Sequence, residues 1–289
     1  MHRRLTPAPL LGLIVFAGCQ AQPALRDEPP PAAPLAAAFK AKTTGTIAGR
    51  VTWQGELPTV TPFKAYANRA FPTANQFTGD KPNPRAPHID RATRGLRGAV
   101  VYLRHVEPER ARPWDHPPVR VAMRDREFNV EQGDRVVPIG IVRRGTEVEF
   151  VNQDVIYHQI KLRGVEFFSL PLVRADTPAR RRLDQPGLVE LSAGAGQFWM
   201  NAFLFVSEHP YYALTDDEGR FRLEQVPAGD YELAAWLPNW HVERFERDPE
   251  VGLVSRVAYA PPVTQASTIR VATGQTTQAD IGWSAKHFP

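Results

Sequence analysis

From Gly45 onward the chain is cut into short strand-like runs by turn signals, and this punctuation limits its fold more than any other feature. Thr46-Ile47-Ala48-Gly49-Arg50-Val51-Thr52-Trp53 alternates, which places Ile47, Gly49, Val51 and Trp53 on one face of a strand. Gln54-Gly55-Glu56-Leu57-Pro58 breaks it. Within residues 98–106, the nearly continuous apolar run Ala99-Val100-Val101-Tyr102-Leu103 predicts a strand covered on both faces. Further strands are predicted over residues 119–123, 127–130, 136–141, 146–152, 158–162, 187–191 and 198–206. Gln132-Gly133-Asp134 and Arg144-Gly145 are among the turns between them. Many short strands with few helical periods predict an all-β chain of β-sandwiches. Residues 60–97, rich in Pro, Asn and Arg, read as a long surface excursion with one short helix at most. Residues 242–260 are ambiguous.

The N-terminus carries a different signal. Arg3 and Arg4 precede an apolar run from Leu10 to Ala17, and small residues lead to Cys19, the only cysteine in 289 residues. A basic start, a short apolar stretch and a small-residue end form an export signal, too short to span a bilayer as a stable helix. Leu13-Ile14-Val15-Phe16-Ala17-Gly18-Cys19 resembles the lipobox of bacterial lipoproteins, with Phe16 where Leu is usual. That resemblance implies that residues 1–18 are a lipoprotein signal peptide and that Cys19 is lipidated as the first mature residue. The alternative is an ordinary signal peptide with an incidental Cys. Gln20 rather than Asp at the next position implies the outer membrane, facing the periplasm. An exported chain with one Cys has no disulfide, and a lipidated Cys19 would leave no thiol for catalysis or metal. Residues 19–43 are Ala/Pro-rich and read as a disordered tether.

The formal charge is +4, from 35 basic and 31 acidic residues, and removal of residues 1–18 takes away two Arg and lowers it to +2. No basic stripe interleaved with aromatics appears, so a nucleic-acid partner is not expected. Arg180-Arg181-Arg182 is the densest basic cluster and reads as a solvated loop face rather than a contact to an acidic partner or lipid headgroups.

Toward the C-terminus, Thr215-Asp216-x-x-Gly219-x-Phe221 is followed by Val226-Pro227-x-Gly229-x-Tyr231-x-Leu233. Gly219 allows the positive φ of a tight hairpin turn, and Pro227 and Gly229 set a second turn. Residues 268–271, the Gly274 turn and residues 277–281 read as a last hairpin. The string resembles the carboxypeptidase regulatory-like domain, a transthyretin-like β-sandwich. The opening strand of such a domain matches Gly49-Arg50-Val51-Thr52-Trp53-Gln54-Gly55, far upstream. The resemblance therefore implies a discontinuous domain, residues 44–106 plus 210–285.

Between its parts stand Phe128-Asn129-Val130, Val136-Val137-Pro138-Ile139-Gly140 and Arg144-Gly145-Thr146-x-Val148-x-Phe150-x-Asn152-x-Asp154-x-x-x-His158. Residues 117–207 resemble a cupredoxin, a Greek-key sandwich in which the strand ending Asn-x-Asp and the following His supply the first copper ligand. The second ligand cluster, Cys-x-x-His-x-x-Met, aligns with Gly194-Ala195-Gly196-Gln197-Phe198-Trp199-Met200. Gly194 replaces the Cys and Gln197 the second His, so only His158 and Met200 remain. Blue copper needs two His and a thiolate, so no cofactor is expected. The nested order resembles a group of exported bacterial proteins that fuse a cupredoxin-like insert to a regulatory-like domain.

Other candidates divide between structural and binding roles. His158 is a ligand remnant or a hydrogen-bonded strand-end histidine. Met200 and Trp199 pack the sandwich end or line a site. His209 and His241 lie near the domain junction, but with His158 they have no metal-site spacing. Asp216-Asp217-Glu218 is a hairpin tip, and a calcium site would need more oxygen ligands. Trp236-Leu237-Pro238-Asn239-Trp240-His241 could stack on sugar rings, face a partner or form the seam between domains. There is no Gly-x-Ser-x-Gly, no His-Glu-x-x-His and no phosphate loop. The expectation is a non-catalytic, envelope-tethered module that binds a protein or a glycan. The alternative is a copper-handling or electron-transfer accessory using His158 and Met200 with recruited ligands.

Overall fold

A computed structural model describes residues 39–65, 79–194, 196–250, 252 and 254–288. The expected signal peptide, Cys19 and most of the expected tether lie outside the described residues. Of the residues expected in the tether, Ala41–Thr43 form a 3-10 turn leading into the first strand.

The chain is all-β, arranged as two sandwiches. One sheet of the outer sandwich has the order Arg220–Pro227, Thr44–Trp53, Thr276–Gln278, with Ile281–Trp283 also paired to Thr44–Trp53. Its facing sheet runs Tyr212–Leu214, Val100–Arg104, Gly229–Leu237, Val263–Val271. Alternate residues of Thr44–Trp53 are buried, so Ile47, Val51 and Trp53 join Leu103, Phe221 and Trp283 in one core. Each such aliphatic side chain contributes about 1.5–3 kcal/mol. Gly219 sits at φ +77 in the turn before Arg220–Pro227. A Cβ there would meet the Val51 carbonyl oxygen, so both backbone and space require glycine.

The second sandwich is inserted between strands Val100–Arg104 and Tyr212–Leu214. One sheet runs Ala179–Leu183, Thr146–Asn152, Val119–Arg124, Glu127–Gln132, Arg135–Val137. The other runs Ile139–Arg143, Asn201–Ser207, Gly187–Ala193, His158–Gly164, Phe168–Leu172. Each sheet contains one parallel pair, Thr146–Asn152 with Val119–Arg124 and Ile139–Arg143 with Asn201–Ser207. Phe150, Ile160, Leu162, Leu191 and Leu204 are among its core residues.

A third apolar cluster joins the sandwiches. Ile139, Ile141, Phe203 and Phe205 on the insert meet Val100 and Trp236 on the outer sandwich. The Trp236 ring lies edge-on to Phe203 and Phe205, with centroids 5.2 and 5.1 Å away. Packing on both sides explains the burial of the first four residues of Ile139–Arg143.

Several expectations need correction. The described part of residues 60–97 does not lie wholly at the surface: Phe63, Asn83, Arg85 and Leu96 are buried. The described part of that segment holds the short pairs Phe63–Ala65 with Gly79–Lys81 and His88–Ile89 with Leu96–Arg97, and no helix. Residues 242–260 form a ribbon, Val242–Arg247 with Val254–Tyr259, whose Val257 reaches the core of the insert. Arg180-Arg181-Arg182 is an edge strand rather than a loop, with Arg180 opposite Glu149 and Arg182 opposite Glu147. Charged residues there discourage edge-to-edge pairing. The last strand of the insert starts at Asn201, since Phe198 and Trp199 lie in the preceding turn.

Candidate functional site

The insert's loops converge at the end of the sandwich that carries His158. Asn152 closes its strand and accepts the N–H of Asp154 on Oδ1 at 2.9 Å. Its amide nitrogen donates to the carbonyls of Ile156 at 2.8 Å and Leu172 at 3.3 Å, fixing the path of residues 152–158. Asp154 then accepts the backbone N–H groups of Asp125 at 2.8 Å and Arg126 at 3.0 Å. Those two residues sit at φ +57 and +58 in the turn between Val119–Arg124 and Glu127–Gln132. Trp199 Nε1 donates to the Arg126 carbonyl at 3.0 Å, so the turn before Asn201–Ser207 is tied to the same turn.

His158 opens its strand with 1% of its surface exposed. Its Nε2 lies 2.7 Å from Asp154 Oδ2. A carboxylate in that position holds the proton on Nε2 and orients the ring. Nδ1 is buried and has no hydrogen-bond partner, and Gln197 Oε1 is in the same condition. Met200 is buried in the core of the insert, and its N–H donates to the Gln197 carbonyl at 2.9 Å.

This donor set does not fit a blue-copper centre. Gly194 supplies no thiolate, and its N–H is bound to the Gln159 carbonyl at 2.6 Å. A Cβ at Gly194 would stand 2.5 Å from Gln159 Oε1, so a glutamine side chain fills the space beside that position. Gln159 carried no sequence signal; its register on His158–Gly164 is what brings it there. Among the described residues, no three His, Cys, Asp or Glu side chains form a metal-holding group.

His209 belongs to a different region. It lines a cavity of about 310 Å³ together with His105, Glu208, Ser207 and Tyr212, where the two sandwiches meet. Its Nδ1 accepts the Tyr211 N–H at 3.3 Å, so the neutral ring keeps its proton on Nε2 and offers no lone pair outward. Burial pushes its pKa down to about 4. His241 is exposed beside Trp240, ring centroids 5.0 Å apart.

The proposed stacking platform is corrected by burial. Trp236 lies in the seam, while Trp240 packs in the outer core against Trp53 and Phe288, at 5.9 and 4.6 Å. Neither indole offers a face to a sugar ring. At the acidic turn, Asp216 accepts the N–H groups of Glu218 at 3.0 Å and Arg220 at 2.8 Å and the Arg220 side chain at 3.1 Å, as a hairpin cap does.

Large apolar side chains are exposed beside His158 instead. Val155 is fully open, Tyr157 is 46% exposed and Val173 is 73% exposed. The Asp176 N–H donates to the Asn152 carbonyl at 2.7 Å, which ties the loop after Leu172 to the loop before His158.

No protein-family profile matches the chain, and no curated protein matches it. Among solved structures, a copper-containing nitrite reductase from Thermus scotoductus SA-01 is 23% identical, over 35% of this chain and 24% of its own length, with a TM-score of 0.26. A reduced amicyanin variant is 13% identical over 37% of this chain and 98% of its own, with a TM-score of 0.26. A purple cupredoxin from Nitrosopumilus maritimus is 18% identical over 30% of this chain and 98% of its own, with a TM-score of 0.24. The chain thus spans about a quarter of the nitrite reductase. At these identities the likeness concerns the fold alone.

Proposed function

We propose that this protein is a non-catalytic, lipid-anchored module of a bacterial cell envelope that docks a protein partner through the loops around His158. The outer sandwich would be the regulatory-like scaffold and the insert the docking domain. One observation carries this: Val155, Tyr157 and Val173 are exposed on two loops tied together at the end where the ligand positions have been replaced. Single exposed apolar residues are ordinary, but a group on adjoining loops marks an interaction surface. The burial of Trp236 and Trp240 favours a protein partner over a glycan.

The test is site-specific photo-crosslinking in intact envelopes of the source bacterium. A crosslinker at Tyr157 should give a discrete adduct, lost when Val155→Asp and Val173→Asp are added. A crosslinker at Arg222, on the outer sandwich, should give none. An adduct unaffected by those aspartates would overturn the docking end. The anchor is tested separately by Cys19→Ser, which should release the chain into the soluble fraction.

A second reading is retained on one specific observation. His158 has its Nε2 held by Asp154 and its Nδ1 left unpartnered, the orientation of a metal-ligating histidine. Weak copper handling would need Met200 and recruited donors. Loading residues 40–289 with Cu(I) and Cu(II), against His158→Ala, separates it from the first: retained copper lost in the variant supports it, and no retained copper removes it.

A further inference from the structure

The outward face of one sheet of the insert carries a charge imbalance that the docking end does not use. Across the strand pairs, Arg163 stands opposite Glu190 and Lys161 opposite Ser192. On the next pair, Glu190 stands opposite Phe203 and Ser192 opposite Asn201. Their neighbours Leu162, Leu191 and Ala202 fill the core. Alternation therefore sends Arg163, Lys161, Glu190, Ser192 and Asn201 to the other side of the sheet.

Two elements missed by sequence reasoning reach this face. From the segment before Val100–Arg104 comes Arg85, only 5% exposed. It donates to Glu190 Oε1 and to Asn201 Oδ1, both at 2.8 Å, and its guanidinium lies 3.8 Å from the Tyr259 ring centroid. From the ribbon comes Arg256, 3.1 Å from Glu246 and 4.0 Å from Glu190. Arg163 donates to Ser192 Oγ at 2.7 Å. Among the described residues it has no carboxylate within ion-pair distance.

Cations outnumber anions here. Arg85 and Arg256 draw on Glu190, Arg256 and Arg244 on Glu246, the latter at 3.0 Å, and Arg163 pairs with neither carboxylate. Lys161 adds a further positive charge on the same face. Partly buried cations without matching anions are costly. Consistent with this, burial lowers the pKa of Arg163, with Arg256 adding to the effect. Two polar atoms shielded from solvent also lack a partner: Arg256 Nε and Tyr259 Oη.

We infer that this face binds a tetrahedral oxyanion, inorganic phosphate or a phosphomonoester, with Arg163 and Arg256 as its charged donors and the unpartnered Tyr259 hydroxyl as a neutral one. Guanidinium groups present paired N–H donors that match such an anion, and a dianion offsets the surplus charge. Arg85 is a positioning residue. Its Nε and Nη2 are committed to Asn201 and Glu190, and its stacking holds Tyr259 in place.

The experiment titrates the full chain with inorganic phosphate at constant ionic strength, read by thermal unfolding and calorimetry. Phosphate should raise the melting temperature saturably beyond chloride. Arg163→Gln should weaken binding at least tenfold, Arg163→Lys less, and Arg181→Gln on the exposed edge strand not at all. Should Arg163→Gln fail to fold, Tyr259→Phe takes its place and should likewise weaken phosphate binding. A vesicle arm uses the Cys19→Ser chain with phosphatidylglycerol against phosphatidylcholine. Sedimentation with the anionic vesicles, lost in Arg163→Gln, would make a lipid headgroup the source of the phosphate. Saturable phosphate binding without sedimentation would make it a free anion. A phosphate response equal to that of chloride, or unchanged in Arg163→Gln, overturns the site.

Discussion

His158 Nε2 and Asp154 Oδ2 stand 2.7 Å apart, and the same carboxylate accepts the N–H groups of Asp125 and Arg126. A buried histidine and a left-handed turn on another strand pair are therefore held by one side chain. Asp154→Ala leaves three donors without their acceptor, and a buried donor left unsatisfied costs about 1–3 kcal/mol. Urea unfolding should show a loss on the order of 2–3 kcal/mol, with Asp154→Asn losing less. Equal stability of Asp154→Ala and the parent would show that the carboxylate is not the lock.

Gln159 fills the space beside Gly194, and this sets what rebuilding a copper centre requires. Gly194→Cys alone should stay colourless with Cu(II), because a second imidazole is missing. Gly194→Cys with Gln197→His and Gln159→Ala supplies a thiolate, two histidines and Met200, the set that blue copper needs. That triple variant should acquire an intense visible charge-transfer band, abolished by His158→Ala. Absence of the band would mean that Met200 or His158 is misdirected.

Acid should weaken the junction of the two sandwiches through His209. Its pKa falls from 6.5 to about 4 because burial penalises the charged ring. Between those values the unfolded chain binds a proton that the folded chain does not. Stability is thus full above pH 6.5 and falls as pH drops toward 4, by about 3 kcal/mol for this group. His116, also lowered by burial, acts in the same direction. Melting temperatures from pH 7 to pH 4.5 check this, and His209→Gln should flatten the profile. An unchanged slope would remove His209 as its source.

Trp236 should matter for stability and not for sugar. Trp236→Ala removes the ring packed against Phe203 and Phe205 and should cost about 3–5 kcal/mol. Glycans should leave the tryptophan fluorescence of the parent protein unchanged. Saturable quenching by a glycan would contradict the burial of these indoles.

The alternation of Thr44–Trp53, the turn at Gly219 and the runs of short strands were legible because a strand's two faces and a turn's φ are local properties. That positions 194 and 197 carry neither thiolate nor imidazole was legible for a simpler reason: the side-chain types are visible in any fold. Strands Phe168–Leu172 and Ala179–Leu183 were not legible, since Pro171 and Arg180-Arg181-Arg182 suit edge positions that only the sheet defines. The segment of residues 60–97 looked polar enough for the surface, yet Arg85 is buried because Glu190, Asn201 and Tyr259 surround its charge.

The sequence by itself determined that the chain is all-β and that positions 194 and 197 hold Gly and Gln, because strand periodicity and side-chain chemistry are carried by the residues themselves. Only the tertiary structure decided that Trp236 joins two sandwiches, that Gln159 fills the space beside Gly194 and that Arg163 and Arg256 share one face with Glu190. These are contacts between residues far apart in the chain, and they depend on how sheets pack rather than on any local preference.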